Sequence, residues 1–197
     1  MSPEGNFAAT LVMRPAGDPA AAALRSFVAA LALADALRDL CGPGVTIALK
    51  WPNDVLLNGG KVAGILLESA GQGGQVSHLA IGIGVNLVGA PPVEAVEPGA
   101  TKPVSVLGET GMRLTQDEML DHLAAAFARW EAQLVTYGFG PIRTAWLNRA
   151  ARLGQTITAR TTTETITGRF DSLAEDGALV LQTEGGRRTI PAADIFF

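Results

Sequence analysis

Apolar and polar positions divide this chain into two textures: long apolar runs up to about residue 150, then short, Thr-rich, alternating segments beyond Gly154. In the first texture, residues 7–13 read as a strand that Arg14-Pro15 ends. Asp18-Pro19 supplies a cap and first turn for a helix to about Leu40, with Leu24, Phe27, Val28, Leu31 and Leu37 near one face. Gly42-Pro43-Gly44 stops that helix, and residues 45–49, apolar and β-prone, are expected as a buried strand. Asn58-Gly59-Gly60 is strong turn chemistry because a positive φ costs Gly and Asn little, and residues 62–67 return as a second strand. Residues 76–87 predict a long strand whose alternation breaks at Gly82 and Gly84, glycines that often mark close approach of a ligand or another element. The proline-rich stretch 89–103 reads as an irregular loop.

Thr115-Gln116-Asp117-Glu118 fits a capping box and opens a helix to about residue 136, with an apolar stripe of Leu120, Leu123, Phe127, Trp130 and Leu134. A shorter helix over 140–150 carries Trp146. The second texture predicts strands at 156–160, 165–170, 179–182 and 188–190, with turns at Asp176-Gly177 and Gly185-Gly186. The expected fold class is α+β: a mixed β-sheet with helices, followed by a small β-barrel, with the boundary near Arg152–Gly154.

A length of 197 residues suits one ordinary domain plus an appendage, and 48% hydrophobic residues support a sizeable core. The formal charge of −4 and the absence of any Lys/Arg-rich run argue against a nucleic-acid surface. Residues 20–40 are apolar enough to raise the question of a membrane span, but Arg25, Asp35, Arg38 and Asp39 interrupt them. They read as a buried amphipathic helix, and with no signal peptide at Met1 a cytoplasmic protein without membrane contact is expected. Cys41 is the single cysteine, so no internal disulfide or Cys-rich metal site is possible, and a buried or incidental thiol is the preferred reading. His78 and His122 lack ligand spacing. Gly82-Ile83-Gly84 lacks the third glycine and following helix of a dinucleotide fingerprint.

The densest chemistry lies in Lys50-Trp51-Pro52-Asn53-Asp54, followed seven positions on by Lys61-Val62-Ala63-Gly64-Ile65-Leu66-Leu67-Glu68. A hairpin here gathers Lys50, Asn53, Asp54 and Lys61 at one rim of a sheet. Lysines held near a carboxylate in a half-buried setting suggest an anionic ligand.

This segment resembles the signature of bacterial biotin protein ligases, in which KWPND precedes K-x-x-G-I-L-x-E. The resemblance extends to Ser2-Pro3-Glu4-Gly5-Asn6, to the glycine-rich strand Ile81-Gly82-Ile83-Gly84-Val85-Asn86-Leu87, and to a final SH3-like domain. It implies a catalytic domain over 1–152 and an SH3-like domain over 153–197. The implied reaction joins biotin to ATP, with Mg²⁺ accompanying the nucleotide, giving biotinyl-AMP and pyrophosphate. Biotin then passes to a lysine of a biotin carboxyl carrier protein. Both steps gather negative charge, so fixed cations and backbone donors are the main requirement.

On the residues that match, Lys61 would bridge biotin's carboxyl group and the α-phosphate; outside the motif it would read as a solvated turn lysine. Asp54 would either hold the incoming lysine and help remove its proton, or orient Lys61. Asn53 would bond the adenylate phosphate or ribose, or help hold Mg²⁺. Lys50 either adds positive potential or is a strand-end charge, and Trp51 is expected to pack. Gly82, Gly84 and Asn86 would line the pocket, with Asn86 on the adenine or ribose side. The backbone of Gly64-Ile65 would pair with biotin's ureido ring, and Asn6 with Gly5 would lie where a loop meets the nucleotide.

The sequence also departs from the family. Members carry a strand and helix with a Ser-Thr pair, a Gly/Arg-rich adenylate loop and a tryptophan before the Ser-Pro turn, and none of these precedes Ser2. The expectations are therefore an N-terminally truncated chain, very low adenylation by it alone, self-association through an exposed sheet edge, and no repressor role. The alternative is a non-catalytic remnant that binds biotinyl-AMP or the carrier. A homodimer is possible on this reading.

Overall fold

Consecutive antiparallel hairpins build the first sheet in the computed structural model, which describes residues 4–197. Ser2 and Pro3 of the opening turn lie outside the described residues. Strands β1 (Phe7–Met13), β2 (Ile47–Lys50), β3 (Asp54–Leu57), β4 (Gly60–Gln72) and β5 (Gln75–Val85) stand in the order β1-β5-β4-β3-β2. All these ladders are antiparallel; parallel pairing is confined to isolated bridges at Leu49–Ala150 and Lys61–Pro103.

One expected strand-turn-strand unit is in fact two hairpins. Trp51-Pro52-Asn53, with a cis Trp51–Pro52 peptide, turns β2 into β3, and Asn58-Gly59 turns β3 into β4. The four residues of β3 sit between two turn signals and are too short to show a period of their own. The proline-rich loop holds a 3₁₀ turn at Val93–Ala95, and helix α3 (Val106–Thr110), absent from the sequence reading, follows it.

Helices α1 (Pro19–Ala23) and α2 (Arg25–Cys41) follow β1. Asp18 caps α1 by accepting from the Ala21 N–H, and Pro19 opens it. The Pro19–Cys41 stretch is long and apolar enough to cross a membrane by length and composition, yet 67% of its most apolar window is buried inside the fold. Ala29, Ala30, Ala32, Ala34 and Ala36 are all buried, so α2 is covered on nearly every side rather than on one stripe. Two of its polar residues meet later segments: Arg25 pairs with Glu131 of the helix over 116–137 at 2.7 Å, and Asp35 accepts from Trp130 Nε1 at 2.7 Å and from Arg149, in a turn beyond the last helix, at 2.8 Å.

Helix α4 (Gln116–Tyr137) starts with the expected capping box and packs on α2. Its buried stripe is Met119, Leu123, Ala126, Phe127 and Leu134, whereas Leu120 is exposed and Trp130 half-buried. The expected and observed stripes share Leu123, Phe127 and Leu134, while Met119 and Ala126 are buried in place of Leu120 and Trp130. Helix α5 (Phe139–Leu147) leads to the second sheet, formed by β6 (Thr156–Arg160), β7 (Thr165–Leu173), β8 (Leu179–Thr183), β9 (Gly186–Ile190) and β10 (Asp194–Phe196) in the order β10-β6-β7-β8-β9.

A single hydrophobic cluster runs through both sheets. Phe27 meets Trp146 edge-on at 5.6 Å, and Trp146 meets Phe170 at 6.5 Å, joining α2, α5 and β7. Trp51 is buried, and its indole N–H donates to the Gly177 carbonyl at 3.0 Å. The barrel's β7–β8 turn is therefore docked on the KWPND turn. Gly177 has φ +85°, and a Cβ there would lie 2.6 Å from a ring carbon of Phe27. We expect Gly177→Ala to cost about 2–4 kcal/mol, combining left-handed strain with overpacking. Gly73→Ala (φ +62°, nothing within 4 Å) should cost only about 1 kcal/mol. Urea unfolding of both variants checks this, and equal losses would contradict the docked turn.

Candidate active site

A β-bulge aims the central cation. Along the β3–β4 ladder Val55 faces Ala63 but Leu56 faces Lys61, which leaves Val62 as an extra residue. Asp54 faces Gly64 in the same ladder. Directly opposed residues share a face, and so do residues two apart, so the bulge brings Lys61 onto the face of Asp54 and Gly64. The result is a Lys61 Nζ–Asp54 Oδ1 pair at 2.6 Å. A Cβ on Gly64 would sit 3.7 Å from Lys61 Nζ and 3.8 Å from Asp54 Oδ1, so this glycine forms the floor beneath the pair. The Lys61 side chain is 43% exposed against 13% for Asp54, leaving one side of the ammonium open.

The backbone of Lys61 is fixed as well. Its N–H donates to the Lys102 carbonyl at 2.8 Å, and its carbonyl accepts from Val104 at 2.9 Å. The end of the proline-rich loop thus lies beside Lys61 like a short parallel strand.

Lys50 ends β2 directly opposite Asp54 and is buried. Its ammonium donates to Thr101 Oγ1 at 2.9 Å and stands 5.2 Å from the Phe197 ring centre. Burial pushes its pKa below the ordinary lysine value; Lys61 adds to that effect, while Asp54 and Asp194 oppose it. Lys50, Asn53, Asp54 and Lys61 line one cavity of about 310 Å³, together with Glu97 and Thr101 of the loop and Asp194 and Phe196 of β10. These last four residues went unnoticed in the sequence. A proline-rich loop and a three-residue strand carry no periodic signal, and only folding brings them to the lysines.

The remaining candidate site residues singled out in the sequence lie outside that lining, and Asn53 within it is tied to Ile65. Asn53 donates through Nδ2 to the Ile65 carbonyl at 2.8 Å, and the Ile65 N–H donates to the Asn53 carbonyl at 3.0 Å. The Ile65 donor expected for a ureido ring is thus committed to the KWPND turn, and the Ile65 side chain is buried. Gly84 stands opposite Gly64 and Ala8, and Gly82 opposite Leu66 and Thr10, on the face turned away from the helices. These glycines lie outside the cavity lining and form an open floor beside the Lys61–Asp54 pair.

Asn86 is also outside the lining: its side chain donates to the Val104 carbonyl at 3.0 Å, bracing the loop end that holds Lys61. Asn6 is buried and ties the exit of β5, accepting from Val88 and Gly89 and donating to the Gly89 carbonyl at 2.8 Å. Gly5, at φ +91°, abuts Val88 in the same turn. Among the described residues no group of three or more His, Cys, Asp or Glu side chains is placed to hold a metal ion.

Residues 2–148 match the biotin/lipoate A/B protein ligase family, and residues 153–197 match the biotin protein ligase C terminal domain. The chain belongs to the biotin/lipoate A/B protein ligase family. It is 64% identical over 195 residues to the biotin–[acetyl-CoA-carboxylase] ligase of Paracoccus denitrificans, covering 99% of this chain and 81% of that protein. It is 30% identical to the bifunctional ligase/repressor BirA of Bacillus subtilis, of which it spans 59%. Its fold is that of the Aquifex aeolicus biotin protein ligase solved with biotin and ATP: TM-score 0.77 at 22% identity, over 98% of this chain and 78% of that one. In this ligase-family frame the buried Lys50 stands out, because a desolvated ammonium costs stability.

Since the folded state lowers the Lys50 pKa, its charged form is penalised at neutral pH, and the penalty fades as pH rises towards the unfolded value. Lys50→Met should therefore match or exceed wild-type stability at pH 7, with the gap shrinking at alkaline pH. Thermal unfolding of both proteins across that range checks this, and a variant less stable at pH 7 would refute it.

Proposed function

We propose that this chain is an ATP-dependent biotin ligase that forms biotinyl-AMP and transfers biotin to a lysine of a biotin carboxyl carrier protein. Residues 1–152 act as the catalytic domain and residues 153–197 as the SH3-like domain. The observation that carries this reading is the Lys61 ammonium, fixed by a bulge and a carboxylate and open on one side at the mouth of a cavity holding a second lysine. The family match and the 64% identity to a biotin–[acetyl-CoA-carboxylase] ligase supply the substrates.

Biotin lies on the floor of Gly64, Gly82 and Gly84, with its carboxylate towards Lys61. The α-phosphate of ATP sits on the other side of the same ammonium. A carboxylate oxygen attacks phosphorus, the bond to the β-phosphate breaks, and pyrophosphate leaves. Lys61 offsets the repulsion of the two approaching anions. In the second step the carrier's neutral lysine amine attacks the acyl carbon, the C–O bond to phosphate breaks, the amine's proton passes to the departing AMP or to water, and the amide forms with the AMP charge again facing Lys61. Asp54, at 2.6 Å from Lys61, orients that ammonium. Lys50 adds positive potential at the cavity wall. Mg²⁺ would enter with ATP and neutralise part of the triphosphate's charge.

ATP and a carboxylase carrier as substrates go with a cytoplasmic setting. Self-association along β1 accompanies the proposal: among the described residues β1 pairs with β5 alone, and Leu11 and Val12 are exposed.

Biotin-dependent exchange of pyrophosphate into ATP, followed by transfer to a carrier domain, tests this reading. In a full-length context, Lys61→Ala should lower the exchange rate by on the order of a hundredfold or more, about 3 kcal/mol of transition-state stabilisation. A variant within about twofold of wild type would remove Lys61 from its role.

A further inference from the structure

The cavity that holds two lysines also holds two carboxylates, Glu97 and Asp194. An anionic substrate entering it would meet both. One side chain outside the lining covers them. Arg160, at the end of β6, donates through Nη2 to Glu97 at 2.7 Å and to Asp194 at 3.1 Å, and through Nη1 to the other Glu97 oxygen. Its guanidinium stacks on the Phe196 ring at 4.8 Å. Arg160 and Asp194 are cross-strand partners, so the barrel itself fixes this geometry. Glu97 arrives from the loop, and its carboxyl is held below the ordinary range first by the hydrogen bond from Arg160.

The same loop carries Thr101, which accepts from Lys50, and Lys102, whose carbonyl accepts from Lys61. Barrel, loop and both cavity lysines thus form one chain of contacts. Exposed ion pairs contribute little to stability, and Arg160 is 41% exposed, so these pairs add little to folding.

We propose that Arg160 is a positioning residue that masks Glu97 and Asp194, so that the cavity beside Lys50 and Lys61 accepts the polyphosphate of ATP. The proposal rests on the ligase reading for the identity of its anion. The mask acts through charge: a fork-shaped cation engages both Glu97 oxygens and one Asp194 oxygen, offsetting their negative charge beside the cavity. Biotin, whose contacts are assigned to the glycine floor, is largely indifferent to it.

The test is calorimetric titration of the intact protein with ATP·Mg²⁺ and, separately, with biotin. Arg160→Ala should weaken ATP binding about tenfold and biotin binding by no more than about twofold, because two carboxylates are unmasked near the phosphates. Adding Glu97→Gln and Asp194→Asn to Arg160→Ala should return ATP affinity to within about threefold of wild type. A purely structural Arg160 would not be rescued in this way.

The proposal is overturned if Arg160→Ala leaves ATP affinity unchanged, if both ligands weaken together, or if the triple variant stays as weak as the single one. A full-length wild type that binds ATP but shows no biotin-dependent pyrophosphate exchange would sink the ligase reading while these affinities still decide the mask. A wild type that binds no ATP would sink both.

Discussion

The site depends on one ion pair placed by one extra residue. Without the bulge at Val62, strict alternation would turn Lys61 to the face opposite Gly64, away from Asp54. With it, the ammonium and the carboxylate meet at 2.6 Å above a glycine that leaves room for both. The pair is too exposed on the lysine side to contribute much to stability. Its value is positional: a flexible four-carbon side chain is held in one place before any substrate arrives, which is the form of preorganisation that anion chemistry rewards.

The surroundings of the pair follow from that requirement. A lysine on a free hairpin would move with its turn, but here the Lys61 backbone is bonded on both sides to the loop segment 102–104. Asn86 ties that segment to the end of β5. Asn6 ties the next turn to the start of β1. Asn86 and Asn6 thus also brace the loop, and through it Lys61, in register. The buried Ala-rich α2 helps by letting sheet and helices approach closely, so the rim stands on a dense core.

Strand and helix periodicity revealed most of the fold. The capping box at Thr115, the strand at Thr156–Arg160 and the break in texture at Gly154 all correspond to observed features. Three kinds of feature escaped. Short elements such as β3, α3 and β10 offer too few residues for a period. The bulge at Val62 is invisible because Val62 is an ordinary strand residue. Long-range closure is absent from any local pattern, so Glu97, Thr101 and Asp194 emerged only once the loop and barrel had folded against the KWPND turn. The motif identified the cations; it did not contain the residues that surround them.

The charge arrangement around the cavity decides how an anion is recruited. Lys50, Lys61 and Arg160 face Asp54, Glu97 and Asp194, equal numbers of each sign, in a chain whose formal charge is −4. A site with no net positive charge exerts little long-range attraction on a polyanion, and salt would screen what remains. Recognition must then act at short range, through the order in which the pairs face inward. Asp54 lies behind Lys61, whose outer side stays open. Lys50 is turned towards Thr101 and an aromatic ring, neither of which competes as an anion. The two remaining carboxylates meet a guanidinium from the barrel. An otherwise neutral cavity can therefore favour an anion at short range, provided that the second domain stays docked, and the Trp51–Gly177 hydrogen bond is one of the contacts that dock it beside the same turn.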